Sequence, residues 1–339
     1  MDAQQIRSLV ENDLLKIKGV SGVGAPTKGA IHVYVQSLNP IEDEIPSTIN
    51  GVPVIAIKVG KLYASNGLSL YKEKDPYKGV YEGEASPFTP FAATEPGRVQ
   101  RVRPAPGGIS IGHPLITAGT HGCSLRSLGI DAGISNNHVL AAESSVQHQK
   151  AHIGDPIYQP GPYDGGTIND RIGTLSFYRP INEVGPNNVD MALWTPDNDS
   201  DLANEILDES PIQGIRKVAV GDQVQKSGRT TGRTTGTVID NDATLIVNYT
   251  SFEAPFQHQT ITGYMSDPGD SGSALLGLDN KLGGILFAGS ADVTVYNNID
   301  YIMAALGQQA PIGGNSVVNT PLLITGLLTA AGIGYLLLA

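Results

Sequence analysis

Three short stretches of this sequence hold side chains able to break a covalent bond. Gly269-Asp270-Ser271-Gly272 sets a serine between glycines. A serine hydroxyl is a weak nucleophile and needs an adjacent base and donors for the oxyanion. Flanking glycines let the backbone turn sharply and let a substrate approach exposed N–H groups. Asp-Ser-Gly is also good turn chemistry, so the tetrapeptide alone leaves a plain turn open. Ser135-Asn136-Asn137-His138-Val139-Leu140-Ala141 supplies a histidine leading into an apolar run, which in isolation reads as a base or as a core histidine. Val189-Asp190-Met191-Ala192-Leu193-Trp194 supplies an aspartate leading into an apolar strand. An unpaired carboxylate there would be costly to desolvate, and a histidine N–H is a partner that would satisfy it.

The chain order is His138, Asp190, Ser271, with gaps of 52 and 81 residues. That is the order of the chymotrypsin arrangement, distinct from subtilisins and α/β-hydrolases. On these three motifs the sequence resembles the trypsin/chymotrypsin-like serine protease family over roughly residues 104–308. A fourth motif, Lys226-Ser227-Gly228-Arg229-Thr230-Thr231-Gly232 followed by Gly236-Thr237-Val238, resembles the bacterial branch with streptogrisins and α-lytic protease. The resemblance implies two six-stranded antiparallel barrels with the site between them. It implies Ser271 as nucleophile, His138 as general base, Asp190 as the orienter of the imidazole, and the N–H groups of Gly269 and Ser271 as the oxyanion hole.

The resemblance also implies that Asp270 pairs with a basic group. About a hundred residues precede the first expected barrel, so the expected partner is internal: Lys226 at the matching position, or Arg229 close by. Both bases standing solvated is the alternative. The specificity pocket is expected to have Met265 at its base and Phe287, Ala288 and Gly289 on its wall. With no acid at Met265, a preference for Lys or Arg is not expected, and an apolar side chain before the cut is.

Composition narrows the alternatives. The chain has 339 residues and a formal net charge of −11, which argues against a general nucleic-acid surface, because phosphate binding needs clustered Lys and Arg. The acidity lies beyond residue 100, where 22 acidic face 12 basic side chains. One cysteine, Cys123, excludes an internal disulfide and reads as a small buried residue. The 41 glycines and 22 prolines favour a folded, turn-rich, mostly β protein. His148 and His152 are four apart, but no third ligand accompanies them, so no metal and no cofactor is expected. The first fifteen residues show no basic segment followed by an apolar one, so no classical secretory signal is expected.

These groups need elements to hold them. The expected fold class is mainly β, a chymotrypsin-like pair of barrels, with a small α+β domain before it and an apolar helix after it. Helical spacing of Ile6, Leu9, Val10 and Leu14 and the strand-like runs 30–35 and 52–59 make residues 1–70 the α+β unit. Residues 71–103 read as a linker, or as a solvated loop. Residues 104–308 hold about a dozen short strand candidates, among them 171–178, 215–219, 235–240, 243–249 and 282–288. A closing helix follows, with Ile299, Ile302, Met303 and Leu306 on one stripe. Residues 309–320 read as a tether. Residues 321–339 carry no charge and as a helix would measure about 28 Å, close to a bilayer's hydrocarbon thickness. A membrane anchor, a helix buried in a homo-oligomer, and a helix packed on the barrels all stay open for this tail. The location stays unknown, with a cytoplasmic chain or one associated with a membrane through this tail as the two expectations.

The expected function is a serine endopeptidase acting on protein or peptide substrates. Two other classes stay open. One is a protease fold used as a structural or assembly protein with residual or self-cleaving activity. The other is a regulated precursor in which residues 1–70 inhibit or assist folding.

Overall fold

The computed structural model describes residues 1–38, 44–64 and 96–307. Most of the expected linker, the tether and the apolar tail 321–339 lie outside the described residues. Among the described residues no helix is long and apolar enough to cross a membrane.

The chain starts with α1 (Ala3–Leu14), opened by a capping box: the Asp2 side chain accepts from the Gln5 amide, and the Gln5 side chain accepts from the Asp2 amide, both at 3.0 Å. Its buried face is Ala3, Ile6 and Leu14, whereas Leu9 is 65% exposed and lies off the stripe expected for it. Strands β1 (Val20–Thr27), β2 (Ala30–Val35), β3 (Thr48–Ile49) and β4 (Val52–Lys58) follow. β1 and β2 pair antiparallel, β2 and β4 parallel. Val23, Ile31, Val33 and Val35 bury themselves with α1 in one apolar cluster.

The next strands are short: β5 (Ala105–Gly107), β6 (Ile109–Ile111), β7 (Gly119–His121), β8 (Cys123–Ser124), β9 (Gly133–Ser135), β10 (Pro156–Tyr158), β11 (Arg171–Tyr178), β12 (Ala192–Pro196) and β13 (Leu202–Ile206). They form a five-stranded sheet, β10-β11-β12-β9-β8, flanked by the pairs β6-β7 and β5-β13. A four-residue turn of helix, α2 (Asn137–Leu140), follows β9. Trp194 fills the core of this half with Ile109, Leu140, Ile157 and Leu175. Its neighbour His121 meets it edge-on at 5.3 Å, and burial pulls the His121 imidazole down to about 3, so this histidine is a neutral core residue.

The second half is built from longer strands: β14 (Gln223–Gly228), β15 (Gly232–Asn248), β16 (Glu253–Gly263), β17 (Ala274–Gly277), β18 (Leu282–Gly289) and β19 (Val293–Asn298). Pairing runs β14-β17-β18-β19-β16-β15, and β15 also pairs with β14, so these six strands close on themselves. Helix α3 (Ile299–Ala305) caps the seam, packing Ile299, Ile302 and Met303 on Ile134, Met191 and Ile285 from both halves. The fold is mainly β with few helices, as expected.

Several details differ from the sequence reading. The runs 235–240 and 243–249 join into the single 17-residue strand β15, because β16 pairs with it on both sides of the polar Asn241-Asp242 break. Residues 215–219 form no strand, only one bridge from Ile215 to Leu282. β16 was not expected at all: Pro255, Gln257, His258 and Gln259 interrupt its alternation, and its cross-strand partners alone hold it extended.

The N-terminal strands extend this second sheet. Gly22 and Val23 of β1 stand opposite Leu245 and Thr244 of β15, an approach that leaves a Cβ on Gly22 only 2.4 Å from Leu245 Cδ2. A polar seam runs beside them. Arg7 donates to the Asp242 carbonyl at 2.6 Å and to Thr244 Oγ1 at 2.8 Å, and the Tyr34 hydroxyl donates to Asp240 Oδ2 at 2.7 Å.

Candidate functional site

His138 is delivered by a local break in the strand. Asn136 is extended, α2 begins at the next residue, and β9 cannot continue. The two asparagines before His138 are structural ties. Asn136 Nδ2 donates to the Asp190 carbonyl at 2.8 Å, and Asn137 Nδ2 donates to the carbonyls of Ser144 and Arg179 at 2.9 and 2.7 Å. Asp190 arrives from the other side, two residues before β12. Its amide donates to Asn297 Oδ1 at 2.9 Å, and Asn297 Nδ2 returns to its carbonyl at 2.8 Å.

The two side chains meet in a fully buried contact. His138 Nδ1 lies 2.7 Å from Asp190 Oδ2, and the His138 amide donates to Oδ1 at 3.3 Å. A carboxylate accepts, so Nδ1 carries the hydrogen, and in the neutral imidazole Nε2 is then the nitrogen with the lone pair. Among the described residues, Nε2 is buried without a hydrogen-bond partner. Tyr249 adds a second side-chain donor, its hydroxyl 2.9 Å from Asp190 Oδ2.

Ser271 sits in the turn before β17. Gly272 has φ +102°, a region L side chains rarely adopt, and a Cβ there would lie 2.1 Å from the Thr120 carbonyl. The glycine after the serine is therefore required both by its backbone angle and by contact with β7. Strand β7 is the wedge that joins the histidine and serine segments. The Thr120 amide donates to the Ser271 carbonyl at 2.7 Å, and a Cβ on Gly119 would strike both the Val139 side chain and the Ser271 carbonyl. Val139 is the residue after His138, so both segments press on one glycine.

Two peptides of this turn, Pro268–Gly269 and Asp270–Ser271, are pinned through their carbonyls. Pro268 O accepts from Thr230 Oγ1 at 2.8 Å, and Asp270 O accepts from Ser273 Oγ at 2.6 Å. In a trans peptide the N–H points opposite to the carbonyl, so the amides of Gly269 and Ser271 are turned away from these anchors. Thr120 Oγ1 also donates to Gly269 O at 2.8 Å and accepts from the Arg229 amide at 3.0 Å.

Asp270 itself turns inward. Lys226 Nζ lies 3.1 Å from its Oδ2, and both side chains are fully buried. Oδ2 also accepts from Thr231 Oγ1 at 2.6 Å and the Asp267 amide at 3.0 Å, and Oδ1 from the Thr230 and Thr231 amides at 2.8 and 3.1 Å. Burial alone would raise this carboxyl. The Lys226 ammonium foremost, then the Thr231 hydroxyl and the amides, outweigh burial and hold it below its usual range. Burial pulls the Lys226 ammonium down, and Asp270 opposes that pull. Arg229 is not part of this pair. Its guanidinium goes to Asp164, with Nε–Oδ2 at 2.7 Å and a second bond from Nη2 to Oδ1, and it lies over the Tyr163 ring. The Arg229 amide faces Thr120, and its buried side chain runs to the 162–164 turn instead of to Asp270.

The residues expected to line a specificity pocket divide between two cores. Met265 packs with Val224, Leu275 and Leu286, whereas Phe287 and Ala288 pack with Phe256 and Val295. Gly289 stands at the end of β18, beside Ser266. Of the remaining singled-out residues, Cys123 is buried, its thiol pushed up to about 12 by burial. His148 Nδ1 pairs with Glu183 at 2.8 Å. Thr120, Tyr249, Asn297 and Asp164 carry no motif in the sequence and are found only through their contacts.

The chain is similar to bacterial chymotrypsin-like serine proteases. Among the solved structures, Cellulomonas bogoriensis chymotrypsin aligns at 20% identity and a TM-score of 0.43, covering 60% of this chain and 95% of that one. Thermobifida fusca protease A aligns at 19% and 0.43, over 60% and 96%. Nocardiopsis protease aligns at 18% and 0.41, over 59% and 95%. No family model and no curated protein matches the chain.

Proposed function

We propose that this chain is a serine endopeptidase, with the closed circuit β14–β19 as one barrel and the site at the seam with the first half. The observation that carries the reading is the oriented imidazole: Nδ1 held on Asp190 at 2.7 Å, with Nε2 buried and without a partner among the described residues. A buried acceptor left unsatisfied is costly, and what sets His138 apart from the buried core histidine His121 is the carboxylate on its Nδ1. In the proposed reaction Ser271 Oγ attacks the scissile carbonyl and its proton passes to His138 Nε2. The carbonyl π electrons move to oxygen, facing the amides of Gly269 and Ser271. Collapse breaks the C–N bond, and His138 returns the proton to the leaving amine. Water then repeats the sequence on the acyl-enzyme. Each oxyanion donor is worth about 3–4 kcal/mol in the transition state. Fluorophosphonate labelling of the full chain tests this. Labelling lost in both Ser271→Ala and His138→Ala supports it, labelling that appears only after removal of residues 1–103 supports a precursor, and silence in both forms favours the structural reading.

A precursor state has an observation of its own. Tyr63 exchanges both backbone hydrogen bonds with Gly289, each at 3.0 Å, in an antiparallel bridge. On the other side, Asn248 bonds to Leu62 and Ala64, each at 2.9 Å. The N–H and C=O of Leu286 go to Ser273 and Gly272, so Ser271's turn and Tyr63 share one edge of β18, three residues apart or about 10 Å. Because the bridge is antiparallel, the N-terminal segment runs toward Ser271. A strand added to a sheet edge is a general way to hold a peptide. In this reading the intact chain fills its own substrate edge with residues 62–64, and release follows their departure.

A further inference from the structure

Asp190 is enclosed with no Lys or Arg in contact among the described residues, so its compensation comes from hydrogen bonds. Its Oδ1 has one donor, the His138 amide at the long distance of 3.3 Å. Its Oδ2 has two, the His138 ring at 2.7 Å and the Tyr249 hydroxyl at 2.9 Å. Nothing in the sequence motifs pointed to Tyr249. It follows the last residue of β15, in the turn to β16, where its amide donates to the Phe252 carbonyl at 2.8 Å. Its ring stacks on Phe252 at 4.8 Å, tilts against Phe256 at 6.1 Å and meets the His138 ring edge-on at 6.2 Å. A ring clamped on three sides has one direction for its hydroxyl. Burial, then the neighbouring Asp190 carboxylate, hold the phenol well above its ordinary range, so it stays protonated and donates.

We propose that Tyr249 is a positioning residue for the His138–Asp190 pair. Its hydroxyl occupies one acceptor direction of Asp190 Oδ2 and leaves the other aimed at His138 Nδ1, which fixes both the carboxylate rotamer and the imidazole tautomer. The kinetic part of this proposal rests on the protease reading; the hydrogen-bond part does not. Tyr249 also follows Asn248, the residue bonded to Leu62 and Ala64, so the same turn reports on the docked N-terminal segment.

The test is Tyr249→Phe in the full chain, which keeps the ring and its stack and removes only the hydroxyl. The expected result is a kcat lower by about tenfold to hundredfold, the loss of one hydrogen bond to a charged acceptor, with KM within about twofold and the melting temperature little changed. The proton on His138 Nδ1 is expected as a far-downfield nuclear magnetic resonance line in wild type that shifts and broadens in Tyr249→Phe. The same measurement in a Ser271→Ala background needs no activity. An unmoved resonance, or an unchanged kcat in an enzyme that hydrolyses peptides, overturns the proposal. If no variant hydrolyses peptides but the resonance moves, the protease reading fails while Tyr249's hold on Asp190 stands. Should Tyr249→Phe not fold, the wild-type Tyr249 hydroxyl proton decides: slow exchange with a through-space contact to the His138 ring supports the proposal, and rapid exchange overturns it.

Discussion

Lys226 and Asp270 form an ion pair that no solvent reaches, Nζ to Oδ2 at 3.1 Å, one residue before the serine of the candidate site. Removing either charge leaves the other buried and uncompensated, which costs about 3–5 kcal/mol. Lys226→Met is therefore expected to lower the unfolding free energy by that amount and to abolish fluorophosphonate labelling, because the turn holding Ser271 hangs on Asp270. Urea unfolding beside labelling checks both halves; full stability and full labelling would remove the pair from the account.

The same pair sets a pH dependence. The Asp270 carboxyl is held below its unfolded value, so the unfolded chain binds more protons across that interval and stability rises with pH through it. The contribution is complete above the unfolded carboxylate value, about 3.9, and is lost as pH falls through the folded one. Unfolding midpoints measured from pH 7 downward should show a steeper acid loss in wild type than in Asp270→Asn.

Asp190→Asn is expected to keep the fold, with Asn136 and Asn297 still on its backbone. It removes the acceptor that fixes the His138 tautomer. Peptide hydrolysis should fall by about 10⁴ in kcat, in line with the loss of the correct tautomer. A loss below tenfold would mean that His138 is not the base.

Thr120→Val removes the hydroxyl that bonds both Gly269 O and the Arg229 amide. Two partners left unsatisfied cost about 1–3 kcal/mol each. The Gly269–Asp270 peptide, which lies between the two that carry the proposed oxyanion donors, also loses an anchor, so kcat is expected to fall more than KM rises. Steady-state kinetics on the purified variant checks this, and a change confined to KM would assign Thr120 to binding.

Tyr63→Pro removes the N–H that Tyr63 gives to Gly289. If residues 62–64 occupy the substrate edge, the intact variant should react with a fluorophosphonate faster than wild type, by about tenfold or more for the loss of one such bond and its neighbours. Equal rates would mean that this bridge only braces the sheet.

Much of the architecture was legible from local pattern. β2 and β11 lie where apolar alternation put them, and α3 lies where its stripe did, because periodicity reports which face must be buried. β16 was not legible, since its polar and proline residues alternate poorly and its extended form is imposed by β15 and β19. The polar residues Asp240 to Asp242 looked like a break between two strands, yet Arg7 and Tyr34 satisfy them from more than two hundred residues away.

What the sequence by itself determined is the chemistry on offer: a serine between glycines, a histidine, and an aspartate entering an apolar strand. Each of these has a local requirement, such as the positive φ of Gly272, that leaves a mark on its neighbours. What only the tertiary structure decided is partnership. It gave Asp270 to Lys226 and Arg229 to Asp164, made β7 the wedge between His138 and Ser271, and brought Tyr249 to Asp190 and Tyr63 to Gly289. A buried charge or hydroxyl must find a partner, but which one depends on where distant segments are packed. Sequence spacing does not encode that distance.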